Sequence, residues 1–174
     1  RASAVCDPTP PNPITITGRF SVTGNNTHEF NNTGAGVAVV TNRATFYLGA
    51  ASGGDVIFDN DVAFYNEGTV LITNAADFMG QNTAVVFDNS GTLIKRSGST
   101  TVFEDSGTFR NTGTVGVEAN TLSFIDLFGL DANTYAGTVL KEGTWSVSNA
   151  TLNFPGAATN IVTISSAAAV ILKG

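Results

Sequence analysis

Phe64-Tyr65-Asn66-Glu67-Gly68-Thr69-Val70, Phe87-Asp88-Asn89-Ser90-Gly91-Thr92-Leu93 and Phe109-Arg110-Asn111-Thr112-Gly113-Thr114-Val115 are copies of one phrase, Phe-x-Asn-x-Gly-Thr-apolar. Gly137-Thr138-Val139 continues the series, so that the four glycines are 23, 22 and 24 residues apart. A period in the low twenties is too short for a helix pair that buries its own face and far too short for a propeller blade. It fits one coil of a β-solenoid. A further overlapping copy, Phe103-Glu104-Asp105-Ser106-Gly107-Thr108-Phe109, adds a local six-residue spacing that is not sustained elsewhere.

Within the phrase Phe64, Asn66, Gly68, Val70 and Ile72 share one parity, and alternate residues of a strand share a face. That face is apolar except for the asparagine. Coils stacked in register therefore place Asn66, Asn89 and Asn111 one above another, each amide bonding to the turning backbone and to the next amide, and Phe64, Phe87 and Phe109 in a neighbouring ladder. Glycine two residues after the asparagine permits a corner that a Cβ would obstruct. These six side chains are read as scaffold.

The rest of the composition agrees. The 174 residues are 42% hydrophobic and only 13% charged, with 19 glycines, 12 phenylalanines and one methionine. No stretch sustains the three- and four-residue apolar spacing of a helix. The predicted fold is all-β, a parallel β-solenoid of about six coils, right-handed in the favoured form. Net charge is −6 with only 8 Lys and Arg, which argues against nucleic acid as a partner because that needs a concentrated basic face. No run approaches the length of a membrane helix, so no membrane insertion is expected.

Residues 1–13 hold four of the five prolines and the single cysteine, Cys6. The expected organisation is an extended arm over residues 1–24, with a β-prone segment carrying Ile14, Ile16, Phe20 and Val22, followed by a solenoid over residues 25–174. Phe30-Asn31-Asn32-Thr33-Gly34 reads as an imperfect copy of the phrase. Its 34-residue distance from Phe64 implies an insertion, placed at residues 50–54.

The Phe-x-Asn-x-Gly-Thr-apolar phrases, across about residues 30–140, resemble the β-helical repeats of large bacterial and archaeal surface proteins of the adhesin and autotransporter-passenger type. More distantly the segment resembles the pectate-lyase-like right-handed parallel β-helix. Such families include adhesins, filament and sheath subunits, and polysaccharide-degrading enzymes, and fold does not choose among them. Six coils are few for a passenger domain or a lyase.

Chemistry has little to work with. His28 is the only histidine and sits between Thr27 and Glu29 in a segment that reads as a solvated loop, so neither a triad nor an imidazole metal site can be completed. Asp55, Asp59 and Asp61 form a weak calcium candidate, since hard cations want several oxygens. With Lys95 and Arg96 they are also the nearest approach to a lyase-like acid and base set. The simpler reading is a solvated acidic edge. Hence no enzyme activity, no metal and no cofactor are expected. Ladders of exposed Thr or aromatics for ice or sugars are not regular enough in sequence to stand out.

A structural role remains. A solenoid has open ends that must be capped or used for pairing, and no capping helix is visible. A proline-stiffened arm is suited to adding a strand to a neighbour, and a lone cysteine suits a subunit boundary. The expected function is an extracellular or cell-surface subunit of a filament, sheath or surface layer. It would be a homopolymer, assembled head to tail with Cys6, Ile14, Ile16, Phe20 and Val22 acting in trans. The alternatives are a monomeric adhesin or glycan-binding module, with surface glycans as partners, and, third, a polysaccharide-degrading β-helix enzyme.

Overall fold

The computed structural model describes residues 4–6, 13–23, 27–49, 55–154 and 161–174. Coil 1 is β1 (Ala4–Cys6), β2 (Ile14–Ile16) and β3 (Phe20–Val22); coil 2 is β4 (His28–Asn31), β5 (Ala38–Asn42) and β6 (Thr45–Leu48). Coil 3 is β7 (Val56–Asp59), β8 (Val62–Asn66) and β9 (Thr69–Ile72). In the next two coils one long strand turns the first corner without a break: β10 (Phe78–Asn89) then β11 (Thr92–Lys95), and β12 (Thr101–Asn111) then β13 (Thr114–Val117). Coil 6 runs through β14 (Asn120–Phe124) and β15 (Leu127–Leu130), detours through β16 (Tyr135–Ala136) and β17 (Val139–Leu140), and closes with β18 (Gly143–Ser148). The last level holds β19 (Ala150–Asn153), β20 (Thr163–Ile164) and β21 (Ala168–Lys173).

Strands of successive coils pair in parallel, and the molecule is a three-faced parallel β-solenoid. The third face is a seven-stranded sheet in the order β21-β18-β13-β11-β9-β6-β3, which amounts to about six turns. The first two faces merge into one eleven-stranded sheet because β10 and β12 belong to both. Parallel strands need a long crossover, and here each crossover is the remainder of the coil itself.

Inward parity packs the interior. On the second face Val40, Phe64, Phe87, Phe109 and Leu130 form one column; on the first, Val56, Phe78, Phe103 and Phe124 form another. Phe78 and Phe103 stack 4.5 Å apart, Phe64 and Phe87 lie 4.9 Å apart, and Phe87 meets Phe103 edge-on at 5.2 Å. Two phenylalanine ladders thus interlock across the coil, each contact adding about 0.5 to 1.5 kcal/mol beyond burial. The third face contributes Phe46, Val70, Leu93, Val115 and Trp145, all with no exposure.

Corners follow from backbone chemistry. Asn60, Asp61, Asp105, Asn120, Asp126 and Asn149 take positive φ between 49° and 67°. Asn and Asp tolerate the left-handed region better than other side chains, so Asp61, Asp105 and Asp126 suit the turns they occupy. Gly68, Gly91 and Gly113 serve a different need. A Cβ on each would come within 2.3, 2.1 and 2.1 Å of a backbone oxygen of the coil beneath, so they are glycines for close coil stacking.

The structure redraws the repeat at both ends. Phe30 pairs with Phe58 on the first face, while Asn32 bonds locally to Gly34 and Gly36. The coil before Phe64 is carried by Val40-Thr41-Asn42-Arg43-Ala44-Thr45-Phe46, with valine for phenylalanine and alanine for glycine, and it needs no long insertion; residues 50–54 lie outside the described residues. Gly137-Thr138 is the two-residue turn of the antiparallel β16–β17 hairpin, with Gly137 at φ 62°, and the true sixth copy is Gly143-Thr144-Trp145. Phe103 and Phe109 sit on adjacent faces of one coil, bent at Asp105, which accounts for their six-residue spacing.

Replacing Phe87 by Ala should cost about 3 to 5 kcal/mol, because it opens a cavity where five other phenylalanine rings meet. Replacing the exposed Thr108 by Ala should stay within about 0.5 kcal/mol. Denaturant titration of both variants checks the contrast.

Candidate functional site

Four asparagines run up the inner corner between the second and third faces. Asn42 Nδ2 donates to Asn66 Oδ1 at 2.8 Å, Asn66 to Asn89 at 2.6 Å, and Asn89 to Asn111 at 2.8 Å. Each second amide hydrogen goes to a carbonyl of the coil above, those of Thr69, Thr92 and Thr114 at 3.0 to 3.1 Å, and that of Thr144 at 3.5 Å. All four residues are fully buried. Asn66, Asn89 and Asn111 are therefore brought into one column beside the Phe64, Phe87 and Phe109 ladder. Asn42, its lowest member, has no Phe two residues before it and no Gly two after, and only the following Thr45-Phe46 matches the rest of the phrase.

Replacing Asn89 by Ala should destabilise by about 2 to 4 kcal/mol, since Asn66 loses an acceptor and Asn111 a donor inside the core. Asn89→Asp should be worse near neutral pH and recover partly in acid, because it buries a carboxylate with no hydrogen to give. Thermal midpoints of the two variants as a function of pH test this.

The residues expected to work in trans sit in the first coil. Ile14 and Ile16 pair with Val40 and Asn42, Phe20 and Val22 with Phe46 and Leu48, and the Cys6 backbone with Phe30. Val22 has no exposure and the Phe20 ring stacks on Phe46 at 5.0 Å. The physical reason is the same inward parity as in every later coil: an apolar alternation beside an open sheet edge pairs with it. One edge of each strand is thus used in cis, and only the other faces outward from the stack. Residues 7–12, with three of the prolines, lie outside the described residues.

Asp55 and Asp59 stand just before and at the end of β7, about 13 Å of strand apart, and Asp61 takes the corner at φ 60°. Among the described residues no group of three acidic, His or Cys side chains could hold a metal ion. Asp59 is itself only 8% exposed. His28 is not in a loop: it shares inward parity with Phe30 on β4, and its buried Nε2 meets no hydrogen-bond partner.

Lys95 is the residue that sequence reading undervalued. It occupies an inward position between Ile72 and Val117 and has no exposure. Its Nζ donates to the carbonyls of Asn74 at 2.9 Å and Ser97 at 2.5 Å, tying two coils together at one corner. Burial pushes the Lys95 pKa down to about 8, with attraction to Asp77 opposing. Asp77 in turn is raised by burial while its Oδ1 accepts the Val102 N–H at 2.8 Å. An amine of this acidity is chemically capable of proton transfer, but a fully enclosed one meets no substrate. Its neighbour Arg96 points away and pairs with Glu118 at 2.8 Å on the surface.

The sign of the Lys95 effect is fixed by linkage. Between about pH 8 and 10.5 the unfolded chain holds a proton that the folded chain has released, so stability should rise with pH across that window. Lys95→Met should abolish the rise. The difference in thermal midpoint between the two proteins from pH 7 to 11 is the readout, and a difference independent of pH would contradict the assignment.

Two surface features remain. The last level is apolar and open: Val162, Ile164, Val170, Ile171 and Leu172 are 68, 48, 39, 40 and 76% exposed. A groove of about 400 Å³ crosses the outer side of the third face around Gly116. No helix among the described residues is long and apolar enough to cross a membrane. Comparison with protein-family models, with curated proteins and with solved structures finds no match to this chain.

Proposed function

We propose that the chain is an extracellular structural subunit that continues its solenoid into a second copy, building a filament, sheath or surface layer head to tail. The observation that carries this reading is the open last level. Val170 and Leu172 occupy the inward columns of Trp145 and Val147, so the interior reaches the end of the stack with its side chains exposed. Five exposed large apolar residues over 162–172 and the outer edge of β21 are what a further coil would cover.

The first coil has a matching feature. Gly18 occupies the same column as Ala44, Gly68, Gly91 and Gly113, yet a Cβ built on it meets nothing within 4 Å. At Gly68, Gly91 and Gly113 the coil directly beneath leaves no room for a Cβ. Ala168 stands in the same column at the other end. Gly18 of one copy over Ala168 of the next would repeat the packing of Gly68 over Ala44, and the parallel register would run on unbroken. Export is supported by the charge-poor, Thr/Asn/Gly-rich composition alone. No catalytic step is part of this reading.

Electron microscopy of concentrated protein should show rods with an axial repeat of about 34 Å, seven levels at about 4.8 Å each. Val170→Glu with Leu172→Glu should leave monomers with the same far-ultraviolet spectrum. A wild-type chain that stays monomeric at millimolar concentration, or a double variant that polymerises as well, would overturn the proposal.

A further inference from the structure

Gly116 is a glycine that the fold does not require. It lies in mid-strand in β13, where glycine weakens a sheet, and its φ is not positive. A Cβ built there meets only Ile94 Cγ1 at 3.8 Å and the Leu93 oxygen at 3.9 Å, ordinary contact distances. Gly68, Gly91 and Gly113, by contrast, are locked by the backbone beneath them. The same outward position carries Leu71, Ile94 and Ser146 in neighbouring coils, so side chains are accepted in this column. What the missing side chain does is open the groove.

The groove's lining defines its ligand. Thr92 and Thr114 stand on consecutive coils, part of an outward threonine column with Thr45, Thr69 and Thr144, and Ser146 faces them across the depression. Each hydroxyl both donates and accepts. Ile94 supplies an aliphatic wall, Glu118 a carboxylate already balanced by Arg96, and Lys173 an ammonium at the far rim. β11, β13 and β18 are interior strands of the seven-stranded sheet, so their amides are committed and an extended peptide has no edge to join. A ligand here must present many groups that donate and accept, little net charge and an apolar C–H surface. We infer that the groove around Gly116 binds a neutral saccharide chain lying across the coils of the third face.

This site is on a side face, and of the lining residues named only Lys173 belongs to the last level, so it is tested separately from the assembly. The test is a titration of the isotopically labelled chain with maltotriose, cellotriose and mannotriose, followed by amide shifts. At least one trisaccharide should give saturable shifts centred on Thr114, Gly116 and Ser146, with a Kd of about 1 mM. Gly116→Val should weaken that binding by about tenfold or more while its thermal midpoint is equal to or above that of the parent. Ser146→Ala, which leaves the groove open, should weaken it less. Absence of saturable shifts with all three sugars, shifts centred elsewhere, undiminished binding by the valine variant, or a valine variant that is destabilised would each overturn the inference.

Discussion

A buried primary amide has two hydrogens and an acceptor to satisfy, and the inner corner of this solenoid satisfies them only when each coil sits directly over the last. Asn42, Asn66 and Asn89 each donate once to the next amide and once to a carbonyl of the coil above, and Asn111 ends the chain by donating to the Thr144 carbonyl. A slip of one residue would turn every inward side chain outward and strand these amides in the core. Apolar contacts resist a one-residue slip too, but they do not exclude a slip of two residues, which keeps inward parity while carrying each asparagine away from its partner. The amide column therefore specifies the alignment, and the rings of Phe64, Phe87 and Phe109 fill the space that it fixes.

The glycines follow from that alignment. With the asparagine turned inward to bond to the coil above, the chain two residues later passes within contact of the carbonyl below, and Thr69, Thr92 and Thr114 donate their N–H groups to Ala44, Gly68 and Gly91 at 2.8 to 2.9 Å. The phrase Phe-x-Asn-x-Gly-Thr is thus one physical unit: ring for the core, amide for the register, glycine for the approach, threonine for the outer face. Surface ion pairs such as Arg43 with Glu67 and Arg96 with Glu118 also join neighbouring coils, but at exposed positions they add little.

That unit made the parallel solenoid legible in the sequence where its letters were all present. It failed at the ends for identifiable reasons. In coil 2 the ring is replaced by Val40 and the glycine by Ala44, so only Asn42, Thr45 and Phe46 remain of the phrase, and a nearby Phe30-Asn31-Asn32 mimics it on a different face. In coil 6 the hairpin inserts a Gly-Thr-Val whose glycine answers a turn, φ 62°, and not a stacked coil. Residues 14–22 looked like a separate arm because proline dominates what precedes them, although their alternation is that of every other coil. Lys95 was hidden by its charge: an inward lysine breaks the apolar pattern, and only the carbonyls of Asn74 and Ser97, which no sequence motif announces, explain it. His28 was hidden the same way. The Gly116 groove was invisible because a strand glycine is informative only once its surroundings are known to be empty.

The amide column and the phenylalanine ladders lie in the interior, whereas the surfaces proposed for assembly and for saccharide binding lie on the exterior, at the open last level and on the hydroxyl-lined third face. Everything placed on the exterior depends on the coil alignment, so the amide column is the point to test. Side-chain nuclear Overhauser contacts in the labelled chain measure it directly. The amide column requires cross-peaks linking the Asn66 side-chain amide to Asn89, and Asn89 to Asn111, with those hydrogens protected from exchange for as long as the chain stays folded. Amides that exchange with water on the timescale of exposed asparagines, or that contact different residues, would contradict it.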